Sequence, residues 1–192
     1  ARLAKRRRPG ALVCLGGPAA TPIAPLMLDT FPFIDFVVCG EGEETLAELL
    51  TALGGGLPLD GIQGLAWRRG GKAIQNPSRR LEADLDRFPL PDFDAFDMAS
   101  GAPLYLDVGR GCPFKCQFCA TAPFWKQEYR MKSIERILAE MVLLRDRFDR
   151  NHANFSHDIF TCDRAWTLQF CETLIQEPLG VTWSCSTRRR CG

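Results

Sequence analysis

Apolar positions change their spacing in blocks along the chain. Ala11-Leu12-Val13-Cys14-Leu15 and Ile34-Asp35-Phe36-Val37-Val38-Cys39 are short, nearly continuous apolar runs. That is the pattern of parallel strands buried on both faces. Each run ends in glycines: Gly16-Gly17-Pro18 after the first, Gly40-Glu41-Gly42-Glu43 after the second. Residues 1–10 read as the end of a helix closed by Pro9-Gly10, and residues 22–30 as a short helix. Residues 44–53 read as a longer helix with Leu46, Leu49, Leu50 and Leu53 on one face, stopped by Gly54-Gly55-Gly56. Helix–strand–helix–strand–helix over residues 1–57 is the order of the trailing part of a doubly wound sheet. Two strands bury little core, so the pattern predicts further strands upstream.

The spacing then alters. Residues 65–68 and 72–75 flank Gly70-Gly71, which predicts a hairpin with a primed turn within residues 61–78. Residues 79–100 carry Pro89, Pro91 and several aspartates and read as a linker with a solvated acidic surface. Residues 104–108 form a strand, and 121–129 are irregular and aromatic. Residues 133–148 form a helix with Ile134, Ile137, Leu138, Met141, Leu144 and Phe148 on one stripe. A strand over 153–160 follows. Asp163 then caps a helix whose Leu168, Cys171, Leu174 and Ile175 face inward, and Pro178 and Gly180 end it. Residues 181–186 are a third strand. Strand and helix repeated in this way predict a parallel β/α arrangement, whose chemistry gathers at the carboxyl ends of the strands. The expected fold class is α/β, with domains at 1–60 and 103–192 joined by 61–102.

Composition removes some function classes. The chain has 192 residues, 46% of them apolar, and a formal net charge of +1. That balance makes no global electrostatic case for nucleic acid or membrane as a partner. The basic run Lys5-Arg6-Arg7-Arg8 suits a solvated helix C-terminus. No apolar run reaches the length of a membrane span, and no signal peptide is visible. Nine cysteines, an odd number at irregular spacing, suggest free thiols in a reducing, cytoplasmic setting rather than a disulfide framework. The chain starts without Met inside a helix and stops just after a strand-like run, as a fragment of a longer protein would.

The chemistry concentrates at Cys112-Pro113-Phe114-Lys115-Cys116-Gln117-Phe118-Cys119, a C-x3-C-x2-C spacing in one short loop. Three thiolates this close can hold one metal centre. A cubane iron–sulfur cluster normally takes four cysteines, and no further cysteine follows until Cys162. One iron would therefore keep an open position, the mark of a reactive site. A zinc site completed by His157 or Cys162 is an alternative, as are three unrelated buried cysteines. The two-cluster ferredoxin spacing does not match. Cys14, Cys39, Cys162, Cys171, Cys185 and Cys191 read as small buried hydrophobes or terminal residues.

The C-x3-C-x-aromatic-C wording resembles the signature of the radical S-adenosylmethionine (SAM) enzymes. The resemblance implies a [4Fe–4S] cluster on Cys112, Cys116 and Cys119. Its open iron would be chelated by SAM, which is cleaved to methionine and a 5′-deoxyadenosyl radical. It places Phe118 against the adenine, with SAM contacts at Ser156, His157, Asp158, Ser186 and Arg188. Upstream, Gly16-Gly17-Pro18 paired with Val37-Val38-Cys39-Gly40-Glu41-Gly42-Glu43-Glu44-Thr45-Leu46 resembles the cobalamin-binding domain that precedes many radical SAM domains. This implies cobalamin contacts at Gly16, Gly17, Pro18, Gly40, Glu41, Gly42 and Glu43. Ala19 stands where such proteins often carry a polar residue, commonly His. The stretch from Asp84 to Asp92 resembles the connector between the two domains.

The fold implied is the C-terminal part of a Rossmann-like cobalamin-binding domain, followed by the first half of a partial TIM-like β/α barrel. The implied function is cobalamin-dependent radical SAM chemistry with methyl transfer to an unactivated centre. A cyclase or oxidase without methylation is the alternative, and a non-catalytic zinc or electron-transfer module is an alternative of another class. The partners implied are a small-molecule or peptide substrate and an electron donor such as flavodoxin or ferredoxin, with no nucleic acid and no membrane.

Overall fold

Phe36, Val37 and Val38 sit at the centre of the first sheet, and their side chains alternate between two cores. The computed structural model describes residues 1–95 and 104–188. The last part of the expected linker and Cys191 lie outside the described residues. Two units are present, Ala1–Leu81 and Glu82–Gly192.

In the first unit, β1 (Cys14–Gly16) and β2 (Phe36–Val38) are parallel, with Leu15 opposite Val37. Antiparallel β3 (Leu65–Arg69) pairs with β2 on its other side, and β4 (Lys72–Gln75) completes the order β1-β2-β3-β4. The hairpin thus extends this sheet. Gly70 and Gly71 have φ of 56° and 82°, as a primed turn requires. Helix α1 (Arg2–Arg7) precedes β1. Val37 packs with Ala24 and Leu28 of α2 (Ala24–Thr30). Phe36 and Val38 face the other way, onto Leu49 and Ala52 of α3 (Glu43–Gly55). Helices therefore cover both faces, as a doubly wound sheet needs.

Three expectations change here. The apolar run from Ala11 enters the sheet only at Cys14, and Leu12 is 57% exposed. The reason is that β1 is an edge strand among the described residues and packs only partly. Helix α3 buries Thr45, Leu49 and Ala52, while Leu46, Leu50 and Leu53 face outward. Thr45 can sit inside because its hydroxyl donates to the Gln63 carbonyl at 2.8 Å. Lys5 is not a freely solvated cation: it pairs at 2.7 Å with Asp35, whose other bond is an acceptance from the Val13 N–H at 2.6 Å. A further long-range tie comes from β3. The Arg68 guanidinium donates to the Phe31 and Ile34 carbonyls at 2.9 and 2.6 Å and to that of Leu28, closing the end of α2.

In the second unit, β5 (Tyr105–Asp107), β8 (His152–Ser156) and β9 (Thr182–Ser184) form a parallel sheet in the order β5-β8-β9. Between β5 and β8 come β6 (Gly109–Arg110), α4 (Thr121–Phe124), β7 (Arg130–Met131) and α5 (Ile134–Phe148); β6 and β7 pair antiparallel. Helix α6 (Arg164–Gln176) joins β8 to β9. The core packs Leu106, Ile137, Met141, Leu144, Phe155, Phe160 and Phe170 together.

The stripe on α5 is as expected, with one addition: Glu140 is completely buried among the apolar residues. Ser133 caps α5 by accepting from the Arg136 N–H at 3.1 Å, and Asp163 caps α6 through Trp166 at 3.0 Å. Helix α6 turns Phe170 fully inward and Cys171 and Leu174 partly so. Leu168 and Ile175 are exposed, because Trp166, Phe170 and Trp183 already fill the contact with stacked and edge-on rings. Strand β8 stops at Ser156, short of the expected residue 160, and Phe160–Cys162 is a 3-10 turn. The linker aspartates are not all solvated either, since Asp86 accepts from the Ser133 N–H at 3.1 Å. No helix among the described residues is long and apolar enough to cross a membrane.

Candidate functional site

The cysteine loop leaves the carboxyl end of β5 by way of β6. Gly111 has φ of 95°, and a side chain there would run into the Glu128 carbonyl, so only glycine lets the chain turn. Cys112, Cys116 and Cys119 are half-buried, and the Cys119 N–H donates to the Cys116 carbonyl at 3.1 Å. The Cys119 thiol is held below the usual range by the hydroxyl and N–H of Thr121, helped by the N–H of Ala122. Donors that favour a thiolate favour a metal ligand. Arg188, past the end of β9, reaches this loop: its Nη1 stands 3.6 Å from Cys116 Sγ. Phe118 projects outward and is 94% exposed.

Among the described residues no group of three or more His, Cys, Asp or Glu stands arranged around a single ion. The donor set itself, three thiols on one short loop with thiolate-stabilising donors, fits an iron–sulfur cluster. His157 is buried, its Nδ1 accepts the Ile159 N–H at 2.9 Å, and its ring meets Tyr129 edge-on at 5.1 Å. Burial lowers its pKa to about 4, with Asp107 and neighbouring backbone opposing that shift.

The consequence for stability has a definite sign. In the unfolded chain a histidine titrates near 6.5. As pH falls below about 6.5 the unfolded state takes up the proton first, so the native state loses up to about 3 kcal/mol by pH 4. His157→Asn, which can still accept from the Ile159 N–H, is expected to flatten this slope in denaturation midpoints measured from pH 7 to pH 4.5.

The other expected residues separate by position. Ser156 ends β8 opposite Asp107 and is exposed. Partial desolvation pushes the Asp158 carboxyl up, while hydrogen bonding with the Thr121 side chain, the Gly111 N–H and the Trp125 side chain opposes the rise. Asp158 thus grips both ends of the loop. The Ser186 carbonyl accepts the Phe160 N–H at 2.9 Å, and the Thr161 and Thr187 hydroxyls touch. Thr121 was not singled out in the sequence; its place two residues after the last cysteine is the signal that could have marked it.

The glycine turns form a second candidate site, in the first unit. Gly17 and Gly40 have φ of 89° and 77°, so both turns need glycine. A side chain on Gly16 would press within 3.3 Å of the Val38 carbonyl. Thr21 links the two turns: its hydroxyl donates to the Gly17 carbonyl at 2.9 Å and accepts the Gly40 N–H at 3.1 Å. Sequence reasoning missed this residue, because nothing local marks a bond to a turn nineteen residues on. Glu41 is buried, and Glu43 opens α3. Pro18 is exposed beside Gly17. Cys14 is exposed rather than buried, and burial lifts the Cys39 thiol to about 11, which leaves it unreactive.

No family model matches the chain. It is 34% identical over 193 residues to an uncharacterized methyltransferase of Pyrococcus horikoshii, covering 98% of this chain and 42% of that protein. It is 30% identical over 198 residues to the anaerobic magnesium-protoporphyrin IX monomethyl ester cyclase of Rubrivivax gelatinosus, covering 97% and 35%. It is 30% identical over 173 residues to the cobalamin-dependent radical SAM methyltransferase TokK of Streptomyces tokunonensis, covering 85% and 24%. The chain therefore spans less than half the length of these curated relatives. The fold is shared with two solved structures at 19% identity. The radical SAM methyltransferase TsrM from Kitasatospora setae gives a TM-score of 0.69 over 91% of this chain and 36% of that one. The cobalamin-dependent SAM radical enzyme OxsB gives 0.73 over 95% and 27%.

Proposed function

We propose, for a chain 30% identical over 85% of its length to a cobalamin-dependent radical SAM methyltransferase, that it is the cofactor-bearing part of an enzyme of this kind, acting in methyl transfer. Its first unit is read as the C-terminal part of a Rossmann-like cobalamin-binding domain. Its second is read as the first half of a partial TIM-like β/α barrel. The observation that carries the reading is the C-x3-C-x2-C loop leaving the carboxyl end of a parallel strand.

Cys112, Cys116 and Cys119 are the residues that would hold a [4Fe–4S] cluster. When bound, the cluster supplies the electron that cleaves SAM reductively, and cobalamin supplies the methyl group to be transferred. The chain's own residues bind and orient. Phe118 is free to lie against the adenine. Ser156, Asp158 and Ser186 offer oxygens for the SAM ammonium, and Arg188 offers a forked donor for its carboxylate. His157 acts from inside, by fixing the turn after β8. In the first unit Gly16, Gly17, Pro18, Gly40, Glu41, Gly42 and Glu43 would meet cobalamin, with the glycines allowing close backbone approach. The partners are a small-molecule or peptide substrate and a low-potential electron donor such as flavodoxin or ferredoxin, in the cytoplasm. Cyclisation without methylation is the second reading, favoured by the cyclase relative.

The test uses the full-length protein, purified and reconstituted anaerobically. About four irons per chain, bound cobalamin, and label moving from methyl-labelled SAM to a substrate support the proposal. One zinc and no iron would sink it, and oxidised or cyclised product without label would move it to the second reading. Within this scheme Thr21→Val, which removes both hydrogen bonds that link the turns, is expected to weaken cobalamin binding roughly tenfold, and Thr21→Ser to restore it. Visible absorption of the bound corrin reads both.

A further inference from the structure

Arg188 follows β9, yet its side chain turns back onto the cysteine loop. Two contacts converge there. Nη1 stands 3.6 Å from Cys116 Sγ, and the guanidinium carbon lies 4.5 Å from the centroid of the Phe114 ring. Phe114 and Cys116 lie on the same loop, two positions apart. The ring holds the guanidinium by a cation–π contact, and one donor of its rigid fork then points at the sulfur.

We propose that Arg188 is a positioning residue that sets the reduction potential of the cluster through Cys116. The inference rests on the reading that the three cysteines hold a [4Fe–4S] cluster, and goes beyond it by giving Arg188 a role that SAM contact alone would not. On reduction the cluster gains one electron from an external one-electron donor, and no bond forms or breaks in that step. The added negative charge spreads onto the cysteine sulfurs. A nearby cation and an N–H donor stabilise the reduced state more than the oxidised one, and hydrogen bonds to sulfur and net charge are known levers on such potentials. Arg188 therefore raises the potential and eases reduction. Lysine would keep the charge but lose the fork and most of the stacking on Phe114.

The experiment is a potentiometric titration of the full-length, cluster-loaded protein without SAM, followed by the electron paramagnetic resonance signal of the reduced cluster. Arg188→Met is expected to move the midpoint to a more negative value than wild type, with Arg188→Lys between them. Phe114→Leu, which loosens the guanidinium while keeping it, is expected to shift the midpoint the same way by less. Equal midpoints in wild type and Arg188→Met at equal iron content would overturn the proposal. So would a change seen only after SAM is added, which would leave Arg188 as a SAM ligand alone. If Arg188→Met loses its cluster, Phe114→Leu decides by the same sign. A wild-type protein that takes up no iron would overturn the cluster reading itself, and this inference with it.

Discussion

Under the proposed function, Cys112→Ala, Cys116→Ala and Cys119→Ala in the full-length protein are each expected to give a folded protein without a [4Fe–4S] cluster, in which reductive SAM cleavage falls to background. The loop holds three thiols and no spare. Two remaining thiolates cannot keep a cubane that normally takes four. The next cysteine in the chain, Cys162, lies in the 3-10 turn after β8, outside the loop. Nor should the fold suffer, since the three side chains are only half-buried and lie outside the packed core. Iron content, visible absorption and 5′-deoxyadenosine formation read the loss, and an unchanged circular dichroism spectrum separates it from unfolding. Full iron content in any of the three variants would contradict the ligand assignment.

Glu140→Ala is expected to cost about 3–5 kcal/mol of stability, the usual penalty for stranding a buried charge. Glu140 is wholly enclosed on the apolar side of α5. Its Oε1 and Oε2 take the Lys132 ammonium at 2.8 and 3.0 Å, and Oε1 also takes Arg136 Nε at 2.8 Å. Removing the carboxylate leaves Lys132 buried beside apolar neighbours with its charge uncompensated. It also loosens Arg136, which donates to the Asp86 and Phe88 carbonyls at 3.3 and 2.9 Å. Chemical denaturation reads the change. The double variant Glu140→Met with Lys132→Met is expected to recover much of it, because an apolar pair can replace a buried ion pair at little cost. A single-variant loss below about 1 kcal/mol would mean that water reaches the pair.

What the sequence made legible was whatever repeats or clusters locally. The cysteine spacing, the Gly70-Gly71 turn, the cap at Asp163 and the stripe on α5 all lie within a few residues, and all are found in the structure. The parallel order of β5, β8 and β9 followed from alternating strand and helix patterns. Rotations and polar ties were not legible. Leu46, Leu49, Leu50 and Leu53 make a persuasive stripe. Yet a threonine with a carbonyl to bond can be buried in place of a leucine, and α3 is turned accordingly. In α6 the aromatic ring of Phe170 wins the interior over Leu168 and Ile175. Glu140 could have been suspected from its place three residues after Ile137 and four before Leu144 on the inward stripe. Arg68 and Thr21 could not, since each acts on backbone far away in the chain.

The stretch from Glu82 to Phe88 looks like a tether in the sequence, but it is fastened at several points. Arg130 donates to the Glu82 carbonyl, the Ser133 N–H donates to Asp86, and Arg136 donates to the Phe88 carbonyl. Its grip falls on β7 and the first turn of α5. Anyone excising the second unit for separate expression should therefore cut before Glu82. A cut at residue 103 would discard a belt that buckles β7 to the first turn of α5.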